Sequence, residues 1–513
     1  MSFSSYKAGL GTTLAMTAML LIAACGQKQE AATAPAAEPE MKADVAAAQA
    51  TTEVPITTAS DEARELFMEG RALLDDLHFT DARTKFIAAA DTDPHFTMAY
   101  LMIAATSQSA EEFFDSVAKA RATAQGASAG EQLYVMASVA ASENNQSAQG
   151  AALKKLVAKY PKDPRTHMAL GNFLNGQQDF AGAVEHFTHA TEIDPGFAGA
   201  HNSLGYAYRA IDDLDQAKAA FEKYAEILPN EANPHDSLAE LLMEMGDYEE
   251  SIKHYQAALD IDSNFMSAYA GIATNQSLMG QGDEAQATAA KMLAAARTFG
   301  ERQNAGFQSV MSYLFAGDTD SALEVSTAMA ATAEEAGRHA AVGGVHEYIG
   351  DIMINADDPA KAEEHFGLAL EHRLKAGTNE ANKAQAKRNH TFKMAIAAMV
   401  AENAEVAAER TAEYTAAVKE GGLAFEKRRA HALAGYMAMI NDDMQGGVDH
   451  LAQANQFNPH ILYWSAVAHN ALGNKEEARD LMNRAANRNT LSLNLPFVRA
   501  KALEAIGKMD EES

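Results

Sequence analysis

The chain has 513 residues, with 70 Asp and Glu against 41 Lys and Arg, a formal net charge of -29, and one cysteine. So acidic a surface repels phosphates and excludes a nucleic-acid partner, and a single thiol excludes an internal disulfide framework. Length alone suggests about three domains, an expectation that the repeats described below replace.

Residues 1–24 carry one charge, Lys7, and then a mildly apolar run that ends in small residues. That order is the pattern of a secretory signal peptide. Gly9, Gly11, Thr12, Thr13 and Thr17 make the run a poor bilayer span. The sole cysteine closes it, within "AMLLIAACGQ". Ile22, Ala23, Ala24 and Cys25 resemble the lipobox of bacterial lipoproteins. The resemblance implies cleavage before Cys25, acylation of its thiol with palmitate-like chains, and export. Gly26 stands where retention at the inner membrane uses aspartate, so the resemblance implies the periplasmic face of the outer membrane. Several acyl chains, at ~0.8 kcal/mol per buried CH₂, make a lasting anchor.

Residues 26–60 contain no aromatic side chain and include Pro35, Pro39 and Pro55. Too little apolar surface is present for a core, so residues 25–60 are expected to be a lipidated cysteine and a disordered linker. Such a tether would span ~30–35 Å on average.

From residue 61 the pattern is helical and repeated. The stretches "HMALGNFLNGQQDFAGAVEHFTHATEIDP", "HNSLGYAYRAIDDLDQAKAAFEKYAEILP" and "HDSLAELLMEMGDYEESIKHYQAALDIDS" begin at His167, His201 and His235, 34 residues apart. Leu170, Leu204 and Leu238 align, as do Gly171, Gly205 and Ala239, then Ala183, Ala217 and Ser251, then Phe187, Phe221 and Tyr255. Two short helices joined by a turn explain the spacing. Small residues let the axes approach, and the aromatic fills the space beside them. Asp179, Asp247 and Asp358 stand where a second helix needs an N-cap. Each helix is marginal alone and must stack on neighbours.

This pattern resembles the tetratricopeptide repeat, an α-solenoid unit that binds proteins. Gly70, Ala82, Phe86, Ala89 and Pro94 keep its offsets upstream, and register is lost between 97 and 130. Downstream, Ala285, Ala322, Ala362, Gly447 and Ala478 take the small second-helix position at wider steps, with a weaker unit near Ala407. The expected fold is an all-α solenoid, with a regular array over 61–297, a stretched array over 298–513, and a capping helix at 491–509.

Chemistry-bearing motifs are few. "GASAG" at 126–130 has the form of a nucleophile elbow, but no strand pattern precedes it, so Ser128 reads as a loop residue. His167, His201 and His235 share one repeat position, joined less securely by His346 and His431, and read as packing residues. His186 and His189, beside Glu185, lie one turn apart and could share a metal, but no third ligand stands near in sequence. "HEYIG" at 346–350 has Gly350 in place of the second histidine of a zinc-protease motif. No catalytic residue, metal or other cofactor is therefore expected.

In tetratricopeptide arrays the partner lies against the first helix of each repeat. The resemblance carries that role to Arg165, Met168, Asn172 and Asn175, to Asn202, Tyr206 and Arg209, and to Asn233, Asp236, Glu240 and Met243. Met168 and Asn233 stand where a carboxylate clamp has lysines, which argues against capture of a C-terminal carboxylate. The expected function is a membrane-anchored scaffold for protein or peptide partners in the cell envelope, without catalysis. The alternative is an accessory subunit of an envelope enzyme or transporter, and behind it a hydrolase built around Ser128 or the His186/His189 pair.

Overall fold

The computed structural model describes residues 53–107, 110–143, 145–376, 380–487 and 493–511. The expected signal sequence, Cys25 and the expected linker as far as residue 52 lie outside the described residues. The described residues form twenty-five α-helices and one short 3₁₀ turn, Ala124–Gly126, and no strand among them. No helix among the described residues is long and apolar enough to cross a membrane.

Helices pair as hairpins, and the turn inside most of them follows one rule. The first helix closes on a residue with positive φ, and an N-cap follows. Gly246, Gly280, Gly317 and Gly473 take that position, but so do Gln178, Asp212, Asp357 and Asp442, at φ of 60° to 67°. Asp179, Asp213, Asp318, Asp358 and Asp443 then accept a hydrogen bond from a backbone N–H in the first turn of the second helix.

Within a hairpin the small residue of the first helix faces the aromatic of the second. A methyl group built on Gly171 or Gly205 would fall 2.5 Å from the ring of Phe187 or Phe221. Both rings are buried, as are Ala183 and Ala217. Ala285, Ala322, Ala362, Ala407 and Ala478 are likewise fully buried downstream.

The chain divides into two compact units, one reaching Leu241 and the other starting at Leu242. In the first unit, residues 53–60 are not part of a linker, which corrects the expectation from composition. They run without helix, and Val54 is buried against the array. A methyl on Gly130 would meet Val54 Cγ1 at 2.6 Å, so the missing side chain makes room for this segment. Composition misled because it weighed the stretch alone, whereas the array supplies the apolar surface that the stretch lacks.

In the second unit the helices lengthen from Phe299 and shorten again between Met444 and Asn487. Phe299–Phe315, Thr319–Glu335, His339–Asn355 and Pro359–Lys375 each have 17 residues, and Glu380–Val400 has 21. One core of this unit gathers around Phe366, Phe392, Tyr414, Tyr436 and Trp464. The last helix, Asn494–Glu511, does more than cap the array. It packs on Pro459–Ala471 and Lys475–Asn487, and it also reaches back to Phe299–Phe315. Leu493 joins Val310, Met311 and Leu314, while Leu495 joins Met243 and Leu278.

Candidate functional site

The first helices of the hairpins Pro164–Gly176/Phe180–Ile193 and Ala198–Ala210/Leu214–Ile227 carry most of the expected partner-binding residues. Asn172, Asn175 and Asn233 are exposed. Asn233 Oδ1 accepts a hydrogen bond from the Tyr224 hydroxyl at 3.0 Å, which fixes its amide. Met168 is half-buried against Phe197, Ala190 and Ala200.

Asn202, Tyr206, Arg209 and Glu240 are brought together as one network. The Tyr206 hydroxyl donates to Glu240 Oε2 at 2.9 Å, and Arg209 Nη1 donates to the same oxygen at 3.2 Å. Ser237 Oγ donates to Asn202 Oδ1 at 3.0 Å. The Tyr206 ring meets Phe221 edge-on, with 5.0 Å between centroids. Burial first, and the Glu240 charge second, push the Tyr206 hydroxyl well above the usual tyrosine range, so it remains a donor. Asp236 is buried with Oδ1 unpartnered. Burial, then Glu240, raises its carboxyl well above the ordinary range.

Three expected groove residues are not free surface. Arg165 forms an ion pair with Asp75 of the first helix, Asp61–Asp75, and its guanidinium lies 5.5 Å from the centroid of Phe197. Asp236 is interior. Met243 is 3% exposed and belongs to the apolar cluster with Leu278 and Leu495, so it is core. A residue's place within a repeat gives its side of the helix; what else the chain lays on that side is a longer-range matter.

Sequence reasoning missed a main-chain binding site that the first unit fills itself. Residues 54–59 lie across the N-terminal ends of Ala129–Ser142 and Pro164–Gly176. The Val54 N–H donates to Asp163 Oδ2 and the Thr57 N–H donates to Glu131 Oε1, each at 2.9 Å. Ser128 Oγ donates to the Pro55 carbonyl at 2.9 Å, and Arg64 Nη1 donates to the Ile56 carbonyl at 2.7 Å. Asp93 takes the Thr58 hydroxyl and the Ala59 N–H. The Thr58 bond is the main reason that the Asp93 carboxyl sits below its ordinary range. Ser128 also caps Ala129–Ser142 in a box with Glu131, which gives the serine of "GASAG" a structural role.

A second cluster, also missed, lies in the second unit. Lys393 Nζ donates to both oxygens of Asp351 at 2.7 and 2.8 Å, with both side chains 3% exposed. Arg388 makes a two-pronged pair with Glu426, and Arg373 with Glu347. Asn389 joins Glu347 to Arg429. A small cavity lies among Glu347, Phe366, Arg373, Asn389, His390 and Lys393. These partners stand up to 42 residues apart, and no local motif announces them.

Four stretches match models of one repeat family: 135–196, 174–241 and 461–490 match models described as tetratricopeptide repeat, and 239–274 one described as TPR repeat. No curated protein matches the sequence. Similar solved structures include MamA, 22% identical, with 31% of this chain and 94% of that chain covered at a TM-score of 0.29. A tetratricopeptide repeat protein from Parabacteroides merdae is 13% identical over 52% of this chain and 98% of that one, with a TM-score of 0.37. The Cut9–Hcn1 hetero-tetramer of APC/C is 15% identical over 82% and 76%, with a TM-score of 0.38. Over residues 135–274 and 461–490, the chain therefore carries tetratricopeptide repeats, built as the helical hairpins described above.

Proposed function

We propose that this protein is a lipid-anchored scaffold of the bacterial envelope. It would bind protein partners along the first helices of its repeats and perform no chemistry on them. The observation that carries the reading is the segment at 54–59. The first unit holds this non-helical chain through the segment's own N–H and C=O groups, using carboxylates and a hydroxyl at helix ends. Recognition of this kind suits a peptide and not a small metabolite. The exposed amides of Asn172 and Asn175 offer the same donor and acceptor pairs to a partner in trans.

Attachment through Cys25, and a place on the periplasmic face of the outer membrane, belong to the same proposal and rest on the lipobox pattern. Cross-linking in living cells, capture through the C-terminus and mass spectrometry test the binding. Wild type is compared with an Asn172→Ala, Asn175→Ala, Arg209→Ala variant. One envelope protein captured by wild type and lost by the variant supports the reading. Equal capture by both places binding elsewhere and refutes the assigned surface. Labelling with palmitate, abolished in Cys25→Ala, tests the anchor; an unlabelled wild type removes it.

A further inference from the structure

The helices His339–Asn355 and Pro359–Lys375 pack side by side, and four histidines lie between them. His339 and His346 are two turns apart on one helix, as are His365 and His372 on the other. Antiparallel packing joins them as two pairs. His339 Nδ1 lies 3.2 Å from His372 Nδ1, and His346 Nδ1 lies 3.0 Å from His365 Nδ1. The preceding helix, Thr319–Glu335, ends at a turn in which Gly337 has a φ of 65°. That turn leaves Glu334 beside the first pair, with Oε2 3.5 Å from His372 Nδ1.

Two nitrogens and one carboxylate oxygen thus converge, and all three lie within 4.8 Å of one another. As hydrogen bonds the arrangement is poorly served. If neutral His372 carries its proton on Nδ1, it can give that proton fully to His339 or to Glu334, and a lone pair of the other is left facing it. A metal ion accepts from all three. Tetrahedral zinc with ligands at 2.0–2.1 Å sets neighbouring ligand atoms about 3.3–3.4 Å apart, between the two separations found here. The Glu334 side chain is 55% exposed and that of His372 only 11%, so one side of the site is fixed by packing and the other opens to solvent.

We propose that Glu334, His339 and His372 form a binding site for a divalent transition metal of the zinc class. The two imidazoles and the carboxylate hold the ion, and a fourth position is left for water or a partner's side chain. Imidazole with carboxylate suits zinc, copper and nickel more than magnesium or calcium. The chain's net charge of -29 favours approach of any cation. The His346–His365 pair, two turns away, offers two nitrogens and stands outside the site.

The test uses the full chain without a polyhistidine tag, stripped with chelator, dialysed and titrated with Zn²⁺ by calorimetry. Bound metal is counted by mass spectrometry, and Co²⁺ serves as a visible-absorption probe of tetrahedral geometry. Wild type should take up one tightly held Zn²⁺. Glu334→Gln and His339→Gln, whose side chains are not buried, should each lower the affinity at least about tenfold, the loss that even an outer-shell partner of a metal ligand brings. His346→Gln should keep it, and circular dichroism shows that each variant is folded. No uptake by wild type overturns the proposal. So does uptake that Glu334→Gln and His339→Gln leave unchanged, since the ion would then sit elsewhere, such as at His167, His186 and His189.

Discussion

Gly350 and Gly367 occupy one helical hairpin, so the same substitution can be made in two environments of one packed element. Gly350 is buried, and a methyl built there would fall 2.3 Å from Cε1 and 2.6 Å from Cδ1 of Phe366. Carbon atoms prefer ~3.5–4.0 Å, so the ring must retreat by more than ~1 Å. It has little room, being 1% exposed with Lys393 Nζ 5.5 Å from its centroid. Overpacking of this kind costs about 1–3 kcal/mol, and so short a contact belongs in the upper half of that range. Replacing glycine by alanine inside a helix returns about 0.8–1.0 kcal/mol. Gly350→Ala should therefore destabilise by about 1–2 kcal/mol. Gly367 is the next residue after that ring, is exposed, and has no neighbouring atom within 4 Å of where a methyl would stand. Gly367→Ala should stabilise by about 0.8–1.0 kcal/mol. Urea unfolding followed by circular dichroism gives both numbers, and the two should differ by about 2–3 kcal/mol in opposite directions. Equal stabilisation by both would refute the close approach of the two helices at Gly350.

Asp351→Asn should cost about 3–5 kcal/mol, because it leaves the Lys393 ammonium buried without its charge partner; adding Lys393→Met should recover most of the loss in the same urea assay. Glu131→Ala removes the acceptor of both the Ser128 and Thr57 N–H groups. Amide exchange at Thr57 should then quicken by a factor corresponding to about 1–3 kcal/mol, while amides in the middle of Ala129–Ser142 keep their protection. Burial is the main reason that His167, His186 and His201 are held below the usual imidazole range; the Pro161 and Pro195 carbonyls oppose it at His167 and His201, and the neighbouring His167 adds to it at His186. The unfolded chain binds those protons first, so the stability they contribute is complete above the ordinary histidine range and is lost as pH falls below it. His201→Asn should flatten that part of the pH profile of the urea midpoint, and an unchanged slope would remove this histidine from the account.

The hairpins were legible because each is a local object. A period of 34 residues, a small residue facing an aromatic, and an aspartate at the turn are all set within one repeat, and Gly171 with Phe187 or Gly205 with Phe221 meet as their positions imply. What escaped depends on parts of the chain that fold across several repeats. The segment at 54–59 reaches Asp163, and Asn494–Glu511 returns to Phe299–Phe315. Neither is visible from periodicity, since each contact joins segments far apart in the chain. Arg165 and Met243 were misplaced for that reason.

The histidines are a different failure. His167 with His186, His346 with His365, and His431 with His450 share a spacing of 19 residues, and each pair joins the two helices of a hairpin. His235 and His254 repeat the spacing. The signal was present across each hairpin, whereas periodicity compares one position along the stack. Glu334 could not have been found that way, because it comes from the helix before.

Partner binding along the first helices is tested most directly by amide exchange on the full chain, alone and with the captured partner bound. The account predicts slowed exchange in Pro164–Gly176 and Ala198–Ala210, with Phe180–Ile193 and Leu214–Ile227 unchanged. Protection confined to those second helices, or no protection in this part of the chain, would contradict it.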